Sequence, residues 1–224
     1  MKNQKDIAIF LNVRKHSSRC KNKMLRPFAD STLYEICLNK VKEITDCNVY
    51  LGAYEEEFIE KAQKLKNITI IHRSAESSLA SSDPVKIFEA LHQIRTKWVM
   101  WINPSHPFLT VKTIYDALNA FLSIENNSLT SVVRKRGWFY TPDGYSVTNK
   151  DALVDTKISE WLYEAAHAFH IYERQYMIDN LKPWPNNPGD PYLFPMPEEE
   201  SYDIDTEDQF TMVERLYEKK ILGK

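Results

Sequence analysis

Short, largely apolar runs alternate with amphipathic stretches along the first half of the chain. Such runs predict strands buried on both faces of a sheet, and they span residues 7–13, 48–51, 68–71 and 98–102. Apolar residues at helical spacing predict helices that begin near Ser31, cover residues 55–65, follow Asp83-Pro84 and cover residues 110–121. The alternation indicates an α/β fold with a mostly parallel sheet flanked by helices. Ligands of a protein with such a sheet should bind at the loops that follow the strands.

The pattern changes after residue 125. Apolar runs predict further strands at 129–133 and 166–172, and Asp143-Gly144 predicts a hairpin across 138–147. Six prolines at 182–197 predict an irregular, extended connection, and helical spacing predicts a closing helix at 206–217. We therefore expect a single domain over residues 1–224, in which about 136–172 form a small β-containing lobe or a dimerisation arm.

Composition narrows the possible partners and the compartment. Net charge is -2, which gives no global attraction to nucleic acid or to an anionic membrane, and no apolar stretch approaches the roughly 20 residues of a membrane span. A polar start and three cysteines without paired spacing favour a reducing cytoplasm. Only five glycines occur, which excludes the glycine-rich phosphate loop and the dinucleotide fingerprint. Side chains would therefore have to hold any nucleotide.

Positive charges concentrate in the loop that follows the first predicted strand. Six cationic residues and no acidic residue occur between positions 14 and 26: Arg14, Lys15, Arg19, Lys21, Lys23 and Arg26. Like charges repel one another unless an anion is present, and a triphosphate would supply that anion. A solvated basic loop, or a patch that binds an acidic partner, explains the same charges.

Negative charges concentrate near the carboxyl end, where residues 198–208 hold seven acidic side chains. Asp203 and Asp205 flank the apolar Ile204, so an extended chain would point both carboxylates the same way, toward one Mg²⁺ ion. Alternatively, Asp205 or Thr206 simply caps the final helix, with Thr206 and Gln209 as a capping box. A metal-bound nucleotide between the basic and acidic clusters would explain both, as would direct pairing of the two clusters.

Four segments, in order, resemble one known family. Residues 14–25 match without gaps the first-loop signature of the CMP-sialic acid and CMP-KDO synthetases, Ala-Arg-x-x-Ser-x-Arg-x-Pro-x-Lys-x-Leu, at Arg14, Ser17, Arg19, Lys23 and Leu25. Residues 103–108 resemble the Gln-Pro-Thr-Ser-Pro-Leu of the sialic-acid branch, and residues 201–210 resemble its Asp-Ile-Asp-Thr motif. Arg73 matches a further arginine of the family. Met24 departs from the usual asparagine, and Asn103 is one methylene shorter than the usual glutamine.

The resemblance implies a Rossmann-like nucleotidyltransferase fold, a homodimer and a Mg²⁺-dependent reaction. In that reaction, a 2-keto sugar acid such as a sialic acid takes CMP from CTP and releases pyrophosphate for surface polysaccharide biosynthesis. Arg14 and Lys23 would act in catalysis with Asp203 and Asp205, which would also hold the metal. Nucleotide and substrate would be bound by Asn12, Ser17, Arg19, Arg73 and Asn103.

Two other functions remain open at this point. A metal-dependent glycosyltransferase also uses an Asp-x-Asp motif, although that motif normally follows a central strand, where this chain has Asn103. A non-catalytic nucleotide-binding relative would explain the few glycines and Met24. Three histidines could also touch a substrate: His106, His167 and His170. The aromatic residues are better explained by core or interface packing than by ligand stacking: Trp98, Trp101, Phe139 and Tyr140.

Overall fold

The computed structural model describes residues 2–79, 83–148 and 155–224. Within these ranges, seven strands form a single sheet in the order β3-β2-β1-β4-β6-β5-β7. The strands are β1 (Ile7–Asn12), β2 (Asn48–Ala53), β3 (Ile68–His72), β4 (Trp98–Ile102), β5 (Leu129–Arg136), β6 (Trp161–Glu173) and β7 (Tyr192–Pro195).

Six of these strands run in one direction. Strands β3, β2, β1 and β4 are parallel neighbours, β6 is antiparallel to both β4 and β5, and β7 is parallel to β5. The α/β prediction with a mostly parallel sheet is therefore confirmed. Since β1 and β4 are adjacent and parallel, the loops that follow them leave the same edge of the sheet, where open α/β sheets bind ligands.

Six α-helices complete the described part of the chain: α1 (Leu33–Val41), α2 (Glu56–Gln63), α3 (Pro84–Ile87), α4 (Val111–Ser123), α5 (Arg174–Asn180) and α6 (Glu207–Ile221). Four of them begin after a side chain that accepts a hydrogen bond from a backbone N–H of the first turn, which satisfies a group without an intrahelical partner. These N-caps are Thr32, Asp83, Thr110 and Thr206.

The sheet is buried on both faces. Along β1, Ile7, Ile9 and Leu11 enter the larger apolar cluster, which also takes up buried side chains of α1, α2, α4 and α6. Ala8 and Phe10 point the other way, into a smaller cluster that includes Met177 of α5. Successive side chains of a strand alternate between faces, so a continuous apolar run is what a sheet covered on both sides requires.

The carboxyl-terminal half differs from the sequence prediction in two places. The proline-rich stretch at 182–197 contains the edge strand β7, and an edge strand tolerates Pro195 because half of its backbone groups need no sheet partner. Strand β6 is longer than predicted: its residues Phe169–Glu173 pair with β4 in the middle of the sheet, and its residues Trp161–Ala165 pair with β5. The predicted hairpin is present as a turn closed by a bridge between Tyr140 and Ser146.

Part of the predicted arm, residues 149–154, lies outside the described residues. A role of residues 136–172 as a small lobe or in dimerisation therefore stays a prediction. Among the helices of the described ranges, none has both the length and the apolarity that crossing a bilayer requires.

Candidate functional site

A cavity of about 560 Å³ opens at the carboxyl ends of β1 and β4. It lies where the order of parallel strands predicts a ligand site. All nine side chains predicted from the sequence line it: Asn12, Arg14, Ser17, Arg19, Lys23, Arg73, Asn103, Asp203 and Asp205. The structure therefore brings the amino-terminal and carboxyl-terminal motifs together, while the role of each residue stays a prediction.

Ion pairs join the basic loop to the acidic segment inside this cavity. The Lys23 ammonium donates to Asp205 Oδ1 at 3.0 Å and to the Ile204 carbonyl at 2.6 Å, and Arg19 lies 2.9 Å from Asp205 Oδ2. Burial alone would raise the pKa of Asp205, but Lys23 and Arg19 outweigh burial and hold that pKa below its ordinary value. The two clusters thus pair directly with each other.

The start of α6 is capped by Thr206 and not by Asp205. The Gln209 N–H donates to the Thr206 hydroxyl at 3.2 Å, and the Gln209 side chain accepts from the Thr206 N–H at 3.0 Å. This is a complete capping box. Because the cap uses the neighbouring residue, the Asp205 carboxylate remains directed into the cavity. The capping interpretation of the sequence is correct for Thr206, and it leaves Asp205 available for ligand chemistry.

Asp203 has no cationic partner within hydrogen-bond distance among the described residues. Its buried Oδ1 makes no hydrogen bond and lies 3.8 Å from Nδ1 of His106, which also lacks a hydrogen-bond partner there. The other ring nitrogen of His106 lies 3.0 Å from the Ala166 carbonyl. Burial lowers the pKa of His106 to about 4, so the imidazole is neutral near pH 7. Burial, and then the charge of Asp205, raises the pKa of Asp203 to about 6.

A hard divalent cation fits these carboxylates. An orphaned, buried carboxylate oxygen is a costly feature that a bound cation would satisfy. Within the described ranges, no group of three or more His, Cys, Asp or Glu side chains is arranged as a metal site. Asp203 and Asp205 would therefore supply two ligands, leaving the remaining positions to phosphate oxygens and water. Mg²⁺ is commonly bound in this way.

Arg73 is engaged by the protein itself. Its guanidinium donates to the Ser77 hydroxyl at 3.0 Å, to the Val13 carbonyl at 2.8 Å and to the Ser77 carbonyl. Burial lowers the pKa of Arg73 to about 10. Through Val13, these bonds fix the backbone immediately before Arg14. Arg73 lines the cavity, and its guanidinium bonds hold the first loop; its predicted role in binding the nucleotide stays a prediction.

The side chains of the two asparagines also form hydrogen bonds with the backbone. Asn12 donates to the Ile87 carbonyl at 2.9 Å, while its buried Oδ1 has no hydrogen-bond partner among the described residues. Asn103 accepts from the Ser105 N–H at 3.1 Å and so shapes the loop after β4. Arg14 reaches the Leu79 carbonyl at 3.1 Å.

A less polar wall of the cavity contains residues that sequence reasoning did not assign to the site. Trp101 was expected in the core or an interface, yet it lines the cavity and stacks on His170 with ring centroids 5.5 Å apart. His170 is held by a 2.8 Å contact between Nδ1 and the Thr130 hydroxyl. Tyr172 and Met177 continue this wall. No local motif marks these residues, because β4, β6 and α5 bring them together from distant parts of the chain.

Cationic side chains opposite two carboxylates, at the strand ends of a mostly parallel sheet, suit the binding of a metal-bound phosphate group. The comparison with known families identifies the class of enzyme. The family model described as cytidylyltransferase matches residues 8–224, and the chain belongs to this family. The resemblance to CMP-sugar synthetases noted in the sequence is confirmed at this level.

Individual relatives are distant. A post-translational flagellin modification protein B from Campylobacter coli is 25% identical over an alignment of 234 positions, which spans 97% of this chain and 97% of that protein. A CMP:2-keto-3-deoxy-manno-octonic acid synthetase, solved in complex with CTP, superposes with a TM-score of 0.65 at 11% identity and covers 96% of this chain and 99% of its own. A 4-diphosphocytidyl-2C-methyl-D-erythritol synthase from Anaerococcus prevotii gives 0.65 at 13% identity, with 96% and 97% covered. At such identities the two solved structures support the fold alone.

Proposed function

We propose that this cytidylyltransferase transfers CMP from CTP to a 2-keto sugar acid of the sialic-acid type, with release of pyrophosphate, for surface polysaccharide biosynthesis. The observation that carries the proposal is the meeting of Lys23 with Asp203 and Asp205 in one cavity. The family match supports cytidylyl transfer as the reaction, and the resemblance of residues 14–25, 103–108 and 201–210 to the CMP-sugar synthetases supports a sugar-acid acceptor.

In the proposed reaction, the anomeric hydroxyl of the sugar acid attacks the α-phosphorus of CTP. A new oxygen–phosphorus bond forms, the bond to the β-phosphate oxygen breaks, and the hydroxyl proton passes to solvent. Arg14, Arg19 and Lys23 would bind the triphosphate and offset the charge that develops on pyrophosphate. Asp203 and Asp205 would hold Mg²⁺, which when bound supplies positive charge to the phosphate oxygens.

The remaining predicted residues fit supporting roles in this proposal. Ser17 would donate a hydrogen bond to a phosphate, and Asn12 and Asn103 would face the nucleoside. Arg73 would contribute by holding Val13, and thereby the loop that carries Arg14. The wall formed by Trp101 and its neighbours would face the sugar or the base.

We also propose a homodimer in which the described stretches 138–148 and 155–163 form part of the interface. Five aromatic side chains of these two stretches are exposed on the single chain: Trp138, Tyr140, Tyr145, Trp161 and Tyr163. Exposed aromatic residues in such numbers are typical of protein interfaces. Light scattering coupled to size-exclusion chromatography tests this, with Tyr145→Lys expected to shift the protein toward monomer; a wild-type monomer would contradict it.

Incubation with CTP, Mg²⁺ and a panel of 2-keto sugar acids tests the function, with pyrophosphate as the readout. The proposal predicts pyrophosphate release that depends on both the acid and the metal, and its loss in Asp203→Asn. Glu199→Gln is the matched control, because it removes the same charge from an exposed position nearby. A glycosyltransferase would instead consume a finished nucleotide sugar, and a non-catalytic relative would release nothing.

A further inference from the structure

The acidic segment contains a buried glutamate that neither the motif nor the proposed chemistry uses. Among three consecutive glutamates, Glu198 and Glu199 are exposed and pair with Lys135 and Lys220. Glu200 is only 8% exposed. A buried carboxylate lowers stability unless hydrogen bonds satisfy it. The hydrogen-bond partners of Glu200 therefore indicate which part of the structure it stabilises.

Both oxygens of Glu200 are bound by the start of α4. Oε2 accepts from the Thr110 N–H at 2.9 Å, and Oε1 accepts from the Thr110 hydroxyl at 3.1 Å and the Thr113 hydroxyl at 3.0 Å. Thr110 is the N-cap of this helix. Hydrogen bonds to an ionised carboxylate are stronger than neutral ones, and the positive end of a helix favours such a charge.

The same bonds fix the segment that carries the two aspartates. Glu200 is three residues before Asp203. One residue after Asp203, the Ile204 N–H donates a hydrogen bond to the carbonyl of Ser105, in the loop after β4, at 3.2 Å. Asp203 therefore lies between two anchors: the Glu200 carboxylate and the Ile204 backbone. The Glu200 anchor is made by a side chain, so a substitution can remove it while both aspartates stay in place.

We propose that Glu200 is a positioning residue for the metal site: its bonds to Thr110 and Thr113 set the place at which Asp203 and Asp205 present their carboxylates. The inference rests on the proposed function, because it assumes that these aspartates hold a cation. A purely structural role would stabilise α4 without changing the affinity of the folded protein for metal. The metal affinity of the folded variants therefore distinguishes the two roles.

The test measures the binding of Mn²⁺, a paramagnetic substitute for Mg²⁺, to the full chain with CTP and without acceptor, by electron paramagnetic resonance. Glu200→Gln and Thr113→Val should each weaken Mn²⁺ binding roughly tenfold, the lower end of the range for residues that support metal ligands. Thr113→Ser keeps the hydroxyl and should restore the affinity. Glu199→Gln removes a neighbouring exposed charge and should leave the affinity unchanged. Thermal unfolding of each variant shows that the folded protein is being measured.

Wild-type Mn²⁺ affinity in folded Thr113→Val, together with lost affinity in Asp203→Asn, would overturn the positioning role and leave the proposed function intact. Wild-type affinity in Asp203→Asn as well would overturn the metal site itself. If Glu200→Gln does not fold, the comparison of Thr113→Val with Thr113→Ser decides, since Val keeps the shape of Thr without its hydroxyl and Ser keeps the hydroxyl without the methyl group.

Discussion

Replacing Asp205 with Asn should change the affinity for CTP in opposite directions with and without metal. Asp205 forms ion pairs with Lys23 and Arg19, the two cations expected to bind phosphate. Metal-free CTP must therefore break these ion pairs and also approach a carboxylate. Asp205→Asn removes both obstacles, so metal-free CTP should bind more tightly. With Mg²⁺ present, the same change removes a metal ligand, so binding and turnover should weaken.

The size of the metal-free effect follows from the burial of the pairs. The side chains of Lys23 and Asp205 are 14% and 32% exposed, so their charged hydrogen bond is worth about 1.5–3 kcal/mol. Arg19 is 66% exposed, and its pair with Asp205 adds about 0–1 kcal/mol. The Lys23 pair alone corresponds to roughly 10- to 150-fold tighter binding of metal-free CTP.

Isothermal titration calorimetry with CTP, first in a chelator and then in excess Mg²⁺, measures both directions on the same protein. Glu207→Gln is the matched control, since it removes one negative charge at the start of α6 from a side chain that pairs with Arg26 outside the cavity. Equal or weaker binding of metal-free CTP by Asp205→Asn would refute the reasoning, because it would show that these ion pairs do not compete with the triphosphate.

Three other changes separate catalysis, capping and burial. Lys23→Ala should lower turnover by orders of magnitude while the protein stays folded, whereas the exposed Lys21→Ala should not; equal turnover in both variants would remove Lys23 from the mechanism. Thr206→Ala should lower the free energy of unfolding, measured by urea titration, by about 1 kcal/mol, because the N-cap of α6 is lost. A weaker Mg²⁺ dependence of turnover in this variant would contradict the assignment of capping to Thr206 and of metal binding to Asp205. Burial lowers the pKa of His170 from 6.5 to about 3, so the unfolded chain binds more protons below pH 6.5 and stability falls as pH decreases. Between pH 7 and 4.5, His170→Gln should lose roughly 2–3 kcal/mol less stability than the wild type, as measured by urea titration at each pH; parallel curves for wild type and His170→Gln would contradict this.

Local physical chemistry explains why much of the fold was predictable. The alternation of Ile7, Ala8 and Ile9 between two apolar clusters needs only the geometry of a strand. Thr110 and Asp83 mark helix starts through bonds within one turn. Strand β7 was not predictable, because its apolar residues lie among prolines and its pairing with β5 is set by packing and by no local pattern.

The candidate site divides in the same way. Asp203 and Lys23 belong to short motifs, so their types and spacing could be read from the sequence. The engagement of Arg73 with Val13, by contrast, depends on contacts across 60 residues, and the bond between Thr113 and Glu200 spans 87. A sequence shows that a carboxylate or guanidinium is present, but its partner is decided by the fold.

The most direct measurement of the central claim is a crystal structure of the protein with CTP and Mn²⁺, without acceptor, using the anomalous signal of manganese. We expect one manganese peak bound by Asp203, Asp205 and phosphate oxygens, with the Lys23 ammonium moved from Asp205 to the triphosphate. A manganese peak away from the aspartates, or a triphosphate bound with the Lys23–Asp205 pair intact, would contradict it.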